Sequence, residues 1–160
     1  MKKIVVVSDN HYAKQCIEFL KEEYKDADYF FHCGDSDLKK SDLEGWYVVC
    51  GNHDEFMSPF PKEIIIEVEG HKFLIVHGHK IYVFSNYYDE LIKYAKEKDC
   101  DVVCFGHIHW YVDYSKDGVR VLNPGSIRYP RDGEERTYML LEVDEKEIRA
   151  ERKVFKGGIY

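Results

Sequence analysis

Two histidines stand two residues apart directly after an apolar run, in the segment VCFGHIHWYV (residues 103–112). Side chains two positions apart on an extended chain point to the same side, so His107 and His109 would face one common space. Neutral imidazole is a common metal ligand, although a buried histidine can equally be satisfied by a backbone carbonyl. The pair alone therefore leaves a metal site and an ordinary loop open.

The same arrangement recurs at the ends of four other apolar runs. Each run is short and is followed closely by carboxylate, amide or imidazole side chains. These polar residues are Asp9 and His11, Asp35, Asn52 with His53 and Asp54, and His77. Each group alone has an ordinary explanation, because Asp and Asn cap helices and Gly-Asp or Gly-Asn pairs form turns. Five runs that all end in metal-binding residue types together predict one shared metal site.

The donor types indicate what this site would bind. Imidazoles mixed with carboxylates and one amide oxygen suit Mn, Fe, Zn, Co or Ni better than a dedicated calcium cage. Seven donors exceed the need of one tetrahedral ion, so we expect two divalent cations about 3.5–4 Å apart, bridged by the Asp35 carboxylate. Mn is the favoured metal, with Ni, Fe, Zn, Co and Mg as alternatives. The expected ligands are Asp9, His11, Asp35, Asn52, His77, His107 and His109.

The hydrophobic pattern predicts the elements that must position these residues. Strands are expected to end with residues 5–7, 30–33, 47–50, 73–76 and 102–105, and helical spacing favours helices over residues 12–24 and 86–99. A polar helix within residues 36–43 is left open. Turns at Glu69-Gly70 and Asp117-Gly118 predict hairpins, and residues 137–155 predict a final one. This order indicates an α/β fold of mixed sheets packed on each other with helices outside.

Composition limits the class of protein. The 160 residues show no linker or repeat, so one domain spanning residues 1–160 is expected. The formal net charge of −7 disfavours binding along a nucleic-acid backbone, and no apolar run is long enough to cross a membrane. The N-terminus does not resemble a signal peptide, and the five cysteines lack a C-x-x-C pair. We therefore expect reduced thiols and a cytoplasmic location.

The polar tips form five motifs in a fixed order. They are D-x-H at residues 9–11, G-D at 34–35, G-N-H-D at 51–54, H-G-H at 77–79 and G-H-x-H at 106–109. In this order they resemble the calcineurin-like metallophosphoesterase superfamily. The short chain and the L-N-P-G-S segment at residues 122–126 resemble its small YfcE-like phosphodiesterase branch. The resemblance implies a four-layer αββα sandwich with a dimetal site at the carboxyl edge of the strands.

The resemblance also implies roles for the site residues. One metal would be held by Asp9, His11, Asp35 and His109, and the other by Asp35, Asn52, His77 and His107. His53 would be the acid near the leaving-group oxygen, and Asp54 its orienting partner. A hydroxide that bridges two cations could then attack the phosphorus of a small-molecule phosphate ester. A phosphodiesterase is expected, with a phosphomonoesterase and a non-catalytic interaction scaffold as alternatives.

The sequence does not determine the roles of several other residues. His79 could support the site or belong to an ordinary loop, and Ser126, Arg128 and Arg131 could lie near the substrate phosphate or in solvent. His71 is expected to be solvated beside its turn. Aromatic side chains near the tips could stack on a substrate or belong to the core: Tyr12, Trp110, Tyr111 and Tyr129. The tyrosine-rich segment at residues 81–88 could form a homodimer contact.

Overall fold

The computed structural model of this chain describes residues 1–54, 58–81, 83 and 87–158. Within these residues, ten strands and two α-helices form the fold, with one short 3-10 helix at Lys40–Leu43. In chain order the elements are β1 (Lys2–Val7), α1 (Lys14–Glu23), β2 (Tyr29–His32), β3 (Tyr47–Val48), β4 (Glu63–Val68), β5 (His71–Val76), α2 (Asp89–Glu97), β6 (Val102–Cys104), β7 (Tyr111–Lys116), β8 (Val119–Pro124), β9 (Thr137–Val143) and β10 (Ile148–Val154).

The strands form two mixed five-stranded sheets. The first has the order β10-β9-β1-β2-β3, in which β1, β2 and β3 are parallel and β9 is antiparallel to both of its neighbours, β1 and β10. The second has the order β4-β5-β6-β8-β7, in which β5, β6 and β8 are parallel and the two edge strands are antiparallel. The carboxyl ends of parallel strands lie at one edge of a sheet, so each sheet delivers several loops to a single edge.

Alternate side chains of β1 show how the layers are built. Ile4 and Val6 lie in an apolar cluster between the two sheets. Val5 and Val7 point to the opposite face, where they pack with Leu20 of α1. A third cluster joins α2 to the outer face of β5, β6 and β8. The order of layers is helix, sheet, sheet, helix, which confirms the predicted αββα sandwich.

Both helices are shorter than the periodicity predicts, for local reasons. Tyr12 has φ +70°, and α1 can begin only after this left-handed residue, at Lys14. The second helix begins at Asp89, whose carboxylate suits the positive end of the helix dipole, and Asp99 at φ +57° follows its end. The segment at residues 36–43 contains only the 3-10 turn.

The turns and cysteines agree with the sequence analysis, whereas His71 does not. Hairpins are closed at Glu69-Gly70 and Asp117-Gly118, where all four residues have positive φ. All five cysteines are free and buried. The expectation that His71 is solvated is wrong: its Nε2 lies 2.8 Å from the Asp144 carbonyl oxygen, and its side chain is largely buried. Neither helix in the described part of the chain has the length and hydrophobicity that a membrane span requires.

Candidate metal centre

The expected ligands lie in tight loops that directly follow strand ends. Five of the seven have backbone φ between +39° and +70°, namely Asp9, His11, Asp35, His107 and His109. Residues with a side chain adopt this region at a cost, and such residues cluster where the surrounding structure fixes a functional geometry. The strained positions are therefore concentrated at one edge of the two sheets.

Two carboxylates form the middle of this cluster. Asp35 Oδ2 lies 3.2 Å from His77 Nε2 and 3.8 Å from His11 Nε2, so this carboxylate stands between histidines from different sheets. Asp9 Oδ1 lies 3.4 Å from His109 Nε2 and 3.8 Å from both His11 Nε2 and His77 Nε2. The side chains of Asp9, Asp35 and His77 are almost completely buried. We call the seven expected ligands together the candidate metal centre: Asp9, His11, Asp35, Asn52, His77, His107 and His109.

Three of the histidines present the same ring nitrogen to the carboxylates. The Nδ1 atom of His77 lies 2.7 Å from the Cys33 carbonyl oxygen, and that of His109 lies 2.6 Å from the Tyr129 carbonyl oxygen. Because a carbonyl oxygen only accepts, each Nδ1 carries a proton, and in the neutral ring Nε2 has the lone pair that can bind a cation. This is the orientation that metal-binding histidines adopt when an outer hydrogen bond fixes the ring.

Asn52 and His107 complete the other side of the centre. The Asn52 Oδ1 atom lies 3.0 Å from His77 Nε2 and 3.3 Å from His107 Nδ1. The His107 backbone N–H donates to Asp9 Oδ2 at 3.1 Å, which ties the G-H-x-H loop to the D-x-H loop. All seven predicted ligands are thus brought to one place, although they come from five separate loops.

The carboxylates of the centre favour positive charge between them. Burial alone would raise the pKa of the Asp9 carboxyl, but the nearby His77 and His109 outweigh burial and hold this pKa well below its usual range. Burial would lower the pKa of His77, whereas Asp9 and Asp35 raise it to about 9. Asp9 Oδ1 is buried and has no hydrogen-bond donor among the described residues. A buried carboxylate oxygen without a donor is one that a cation can satisfy.

Two motif glycines are required by close approach to the carboxylates. A Cβ atom at Gly51 would lie 2.0 Å from Asp35 Oδ1, and one at Gly106 would lie 2.1 Å from Ser8 Oγ and 2.7 Å from Asp9 Oδ2. Larger residues would therefore displace the carboxylates. The donor set, the unpaired oxygen and these close contacts all fit a centre for divalent cations.

His53 and Asp54 lie beside the centre in different environments. The His53 side chain is exposed, its backbone N–H donates to Asp35 Oδ1 at 2.9 Å, and its ring centroid lies 5.0 Å from that of His11. Asp54 Oδ1 accepts from the Gly51 N–H at 2.5 Å. The aspartate thus holds the turn that carries Asn52 and His53.

Supporting residues that the motifs do not identify lie behind the loops. Ser8 Oγ donates to Asp9 Oδ2 at 2.7 Å, and Asn123 Nδ2 donates to the Gly106 carbonyl at 3.0 Å. Ser126, which the sequence left open, donates to the Asp9 carbonyl at 2.9 Å. Ser8 has no signal in the sequence beyond its position after β1, whereas Asn123, near the end of β8, and Ser126 belong to the L-N-P-G-S segment.

The remaining open residues surround the centre. Arg128 Nη1 donates to the His11 carbonyl, and its guanidinium carbon lies 4.7 Å from the Tyr129 ring centre. The His79 ring centroid lies 5.4 Å from that of His77, which places it next to a ligand. Tyr12, Trp110 and Tyr129 are exposed, whereas Tyr111 packs against the core between the sheets. Four of the eight residues in the tyrosine-rich segment at residues 81–88 lie outside the described residues, and its role as a homodimer contact stays a prediction.

Comparison with known proteins shows the family. The sequence matches the model of the calcineurin-like phosphoesterase superfamily domain over residues 1–146. The "Probable metallophosphoesterase YsnB" of Bacillus subtilis (strain 168) is 32% identical over 148 residues, which cover 88% of this chain and 84% of YsnB. The chain therefore belongs to the calcineurin-like phosphoesterase superfamily, a family of metal-dependent phosphoester hydrolases.

Solved structures agree with this assignment. A predicted phosphoesterase from Streptococcus pneumoniae TIGR4 superposes with a TM-score of 0.88 at 30% identity, covering 96% of this chain and 89% of that one. An archaeal phosphodiesterase has a TM-score of 0.70 at 25% identity, covering 96% and 99%. Vps29 from Entamoeba histolytica, complexed with zinc, has a TM-score of 0.74 at 22% identity, covering 96% and 99%. The Vps29 likeness concerns the fold alone.

Proposed function

We propose that this chain hydrolyses small-molecule phosphodiesters with two divalent cations bound at the candidate metal centre. The observation that carries the proposal is the position of Asp35, whose carboxylate lies between His11 and His77. Asp9 adds a buried oxygen without a hydrogen-bond donor in the described part of the chain. A carboxylate between two imidazole groups is the arrangement from which one residue can bridge two cations.

The chain offers four donors to each cation, and the two sets share Asp35. Asp9, His11, Asp35 and His109 would hold one ion. Asp35, Asn52, His77 and His107 would hold the other. When bound, two divalent cations lower the pKa of a water molecule and neutralise charge on phosphate oxygens. The mixture of imidazole, carboxylate and amide donors suits Mn, Fe, Zn, Co or Ni, and Mn is the metal that we propose.

His53 is the residue we assign to the leaving group. Its imidazole is exposed beside the centre, and its backbone is fixed by the hydrogen bond to Asp35 Oδ1. A protonated imidazole there can donate its proton to the departing alkoxide oxygen. Asp54 contributes by holding the turn through the Gly51 N–H, which keeps His53 in place.

One observation supports a diester as substrate. The archaeal protein of known structure is a phosphodiesterase, and its similarity to this chain covers 96% of this chain and 99% of that one.

The test is metal-dependent hydrolysis of a bis-aryl phosphodiester and of an aryl phosphomonoester, with Mn, Ni, Zn and Mg supplied in turn. We expect turnover of the diester to exceed that of the monoester. Asn52→Ala and His107→Ala should each lower Mn-dependent kcat/KM by more than about 100-fold. The reason is that loss of an outer partner of a ligand alone costs about 10–100-fold.

His71→Gln is the matched control, because His71 bonds to the Asp144 carbonyl at the other end of β5 from the candidate metal centre. This variant should keep wild-type turnover. Full activity in both Asn52→Ala and His107→Ala would show that the site is assigned incorrectly. Binding of Mn by the wild-type protein without hydrolysis of either ester would favour the scaffold alternative.

A further inference from the structure

The three histidines that present Nε2 to the centre are anchored by different kinds of partner. His77 and His109 are held by neutral backbone carbonyls, at 2.7 and 2.6 Å from Nδ1. His11 is held by a carboxylate instead, with Nδ1 3.2 Å from Asp37 Oδ2. A carboxylate makes the imidazole a stronger electron donor than a carbonyl does, since it stabilises positive charge on the ring.

The side chain of Asp37 is buried, and the backbone conformation of this residue is that of the other site aspartates. Its side chain is 5% exposed, and its backbone has φ +56°, the same left-handed value as Asp35 two residues earlier. The His11 ring therefore lies between carboxylates: Asp37 at Nδ1, and Asp9 and Asp35 each 3.8 Å from Nε2. Asp37 is the second aspartate of the G-D-S-D segment, and none of the five motifs includes it.

We propose that Asp37 is a positioning residue that strengthens one of the two cation positions through His11. This inference rests on the proposed two-cation centre and adds that the two cation positions differ in their dependence on Asp37. The carboxylate fixes the Nδ1–H tautomer and the ring orientation, so that the position holding Asp9, His11 and His109 binds its cation more tightly than it would with a neutral partner. The position holding Asn52, His77 and His107 does not depend on Asp37.

The variants must respect the left-handed backbone at Asp37. Asn and Gly both tolerate positive φ, so Asp37→Asn removes the charge while keeping an acceptor, and Asp37→Gly removes the side chain. Asp117 offers a matched control, because it also has φ near +55° and lies exposed in the turn between β7 and β8. Asp117→Asn and Asp117→Gly repeat both changes far from the centre.

The experiment is calorimetric titration of Mn²⁺ into EDTA-treated, desalted protein, with unfolding midpoints measured without metal. We expect two binding events in the wild type and a selective weakening of one of them. The loss should be about 10–100-fold in Asp37→Gly and smaller in Asp37→Asn, because a neutral acceptor partly rescues the ring orientation. The Asp117 variants should bind as the wild type does.

Each outcome separates this inference from the proposed function. Wild-type affinities at both positions in Asp37→Asn and Asp37→Gly would overturn the role of Asp37 and leave the two-cation centre standing. An equal weakening of both positions would also overturn it, because a general loss of structure has no selectivity. If the wild-type chain bound no Mn²⁺, the proposed function itself would fail. Should Asp37→Gly prove unfolded, Asp37→Asn decides the matter alone.

Discussion

His32 is a fully buried histidine whose protonation state is fixed by its neighbours. The Gly34 N–H donates to His32 Nδ1 at 3.0 Å, so this nitrogen carries a lone pair. The other ring nitrogen, Nε2, therefore carries the proton and donates to Asn10 Oδ1 at 2.7 Å. Burial lowers the pKa of His32 to about 4. The neutral ring thereby joins the loop that carries Asp35 to the loop that carries Asp9 and His11.

This buried histidine should make the fold sensitive to acid. Its folded pKa of about 4 lies below the ordinary value of 6.5, so the unfolded chain takes up the proton first as the pH falls. The contribution of His32 to stability is therefore complete above about pH 6.5 and is lost between about pH 6.5 and pH 4, by about 3 kcal/mol in total. Urea unfolding at pH 7, 6, 5 and 4.5 in EDTA measures the loss.

His32→Gln isolates the contribution of this residue. The glutamine amide has both an acceptor for the Gly34 N–H and a donor for Asn10 Oδ1, but it does not titrate. The fall in unfolding free energy between pH 6.5 and pH 4 should be shallower in His32→Gln than in the wild type by up to about 1.4 kcal/mol per pH unit. Parallel pH profiles in the two proteins would mean that His32 is not buried in its neutral form.

The segment after β8 fixes the ligand loops from behind. Ser126 Oγ donates to the Asp9 carbonyl at 2.9 Å and accepts from the Tyr129 N–H at 2.7 Å. Tyr129 in turn accepts from His109 Nδ1 through its carbonyl. One buried hydroxyl therefore connects the first and last motifs of the chain, which lie about a hundred residues apart in sequence.

Ser126→Ala should weaken both the fold and the centre. Leaving the buried Asp9 carbonyl without its donor costs about 1–3 kcal/mol, and the loops of Asp9 and His109 lose their common support. We expect a corresponding drop in the urea-unfolding free energy and weaker Mn²⁺ binding by calorimetry. Ser115→Ala, an exposed change on β7, should stay within about 0.5 kcal/mol of the wild type. An unfolding free energy and an Mn²⁺ affinity unchanged in Ser126→Ala would show that this hydroxyl does not support the ligand loops.

The sequence predicts the elements better than it predicts the loops. Apolar runs identify the strands that precede Asp9, Asp35, His77 and His107 because burial on both faces of a sheet leaves a visible pattern. The late start of α1 is not visible, since the left-handed backbone at Tyr12 belongs to the site rather than to the helix. Local sequence propensity does not predict a backbone conformation that contacts with distant residues impose.

The architecture explains why the grouping of the seven expected ligands is predictable and the residues that support them are not. The expected ligands follow carboxyl ends of strands, where the alternating α/β pattern directs them to one edge. Asp37 and His32 act through side-chain orientation and through hydrogen bonds to residues 26 and 22 positions away in sequence. The pairing of β1 with β2 brings those partners together, and nothing in these common residue types indicates the contacts in advance.

The two sheets should also hold each other more tightly when cations are bound. Asp9 and Asp35 follow strands of the first sheet, whereas His77 and His107 follow strands of the second, so an ion between them links both sheets. An ion that binds only the folded chain, at about 100 times its dissociation constant, stabilises that chain by about 2.7 kcal/mol.

For a chain of this length, that stabilisation raises the thermal unfolding midpoint by about 5–10 °C for each ion. Thermal scans with Mn²⁺ and with EDTA measure the shift. Asp35→Asn should lose most of it, because its carboxylate serves both positions, and Asp117→Asn should keep it. If Asp35→Asn were stabilised by Mn²⁺ as strongly as the wild type, the carboxylate between His11 and His77 would not bridge two cations.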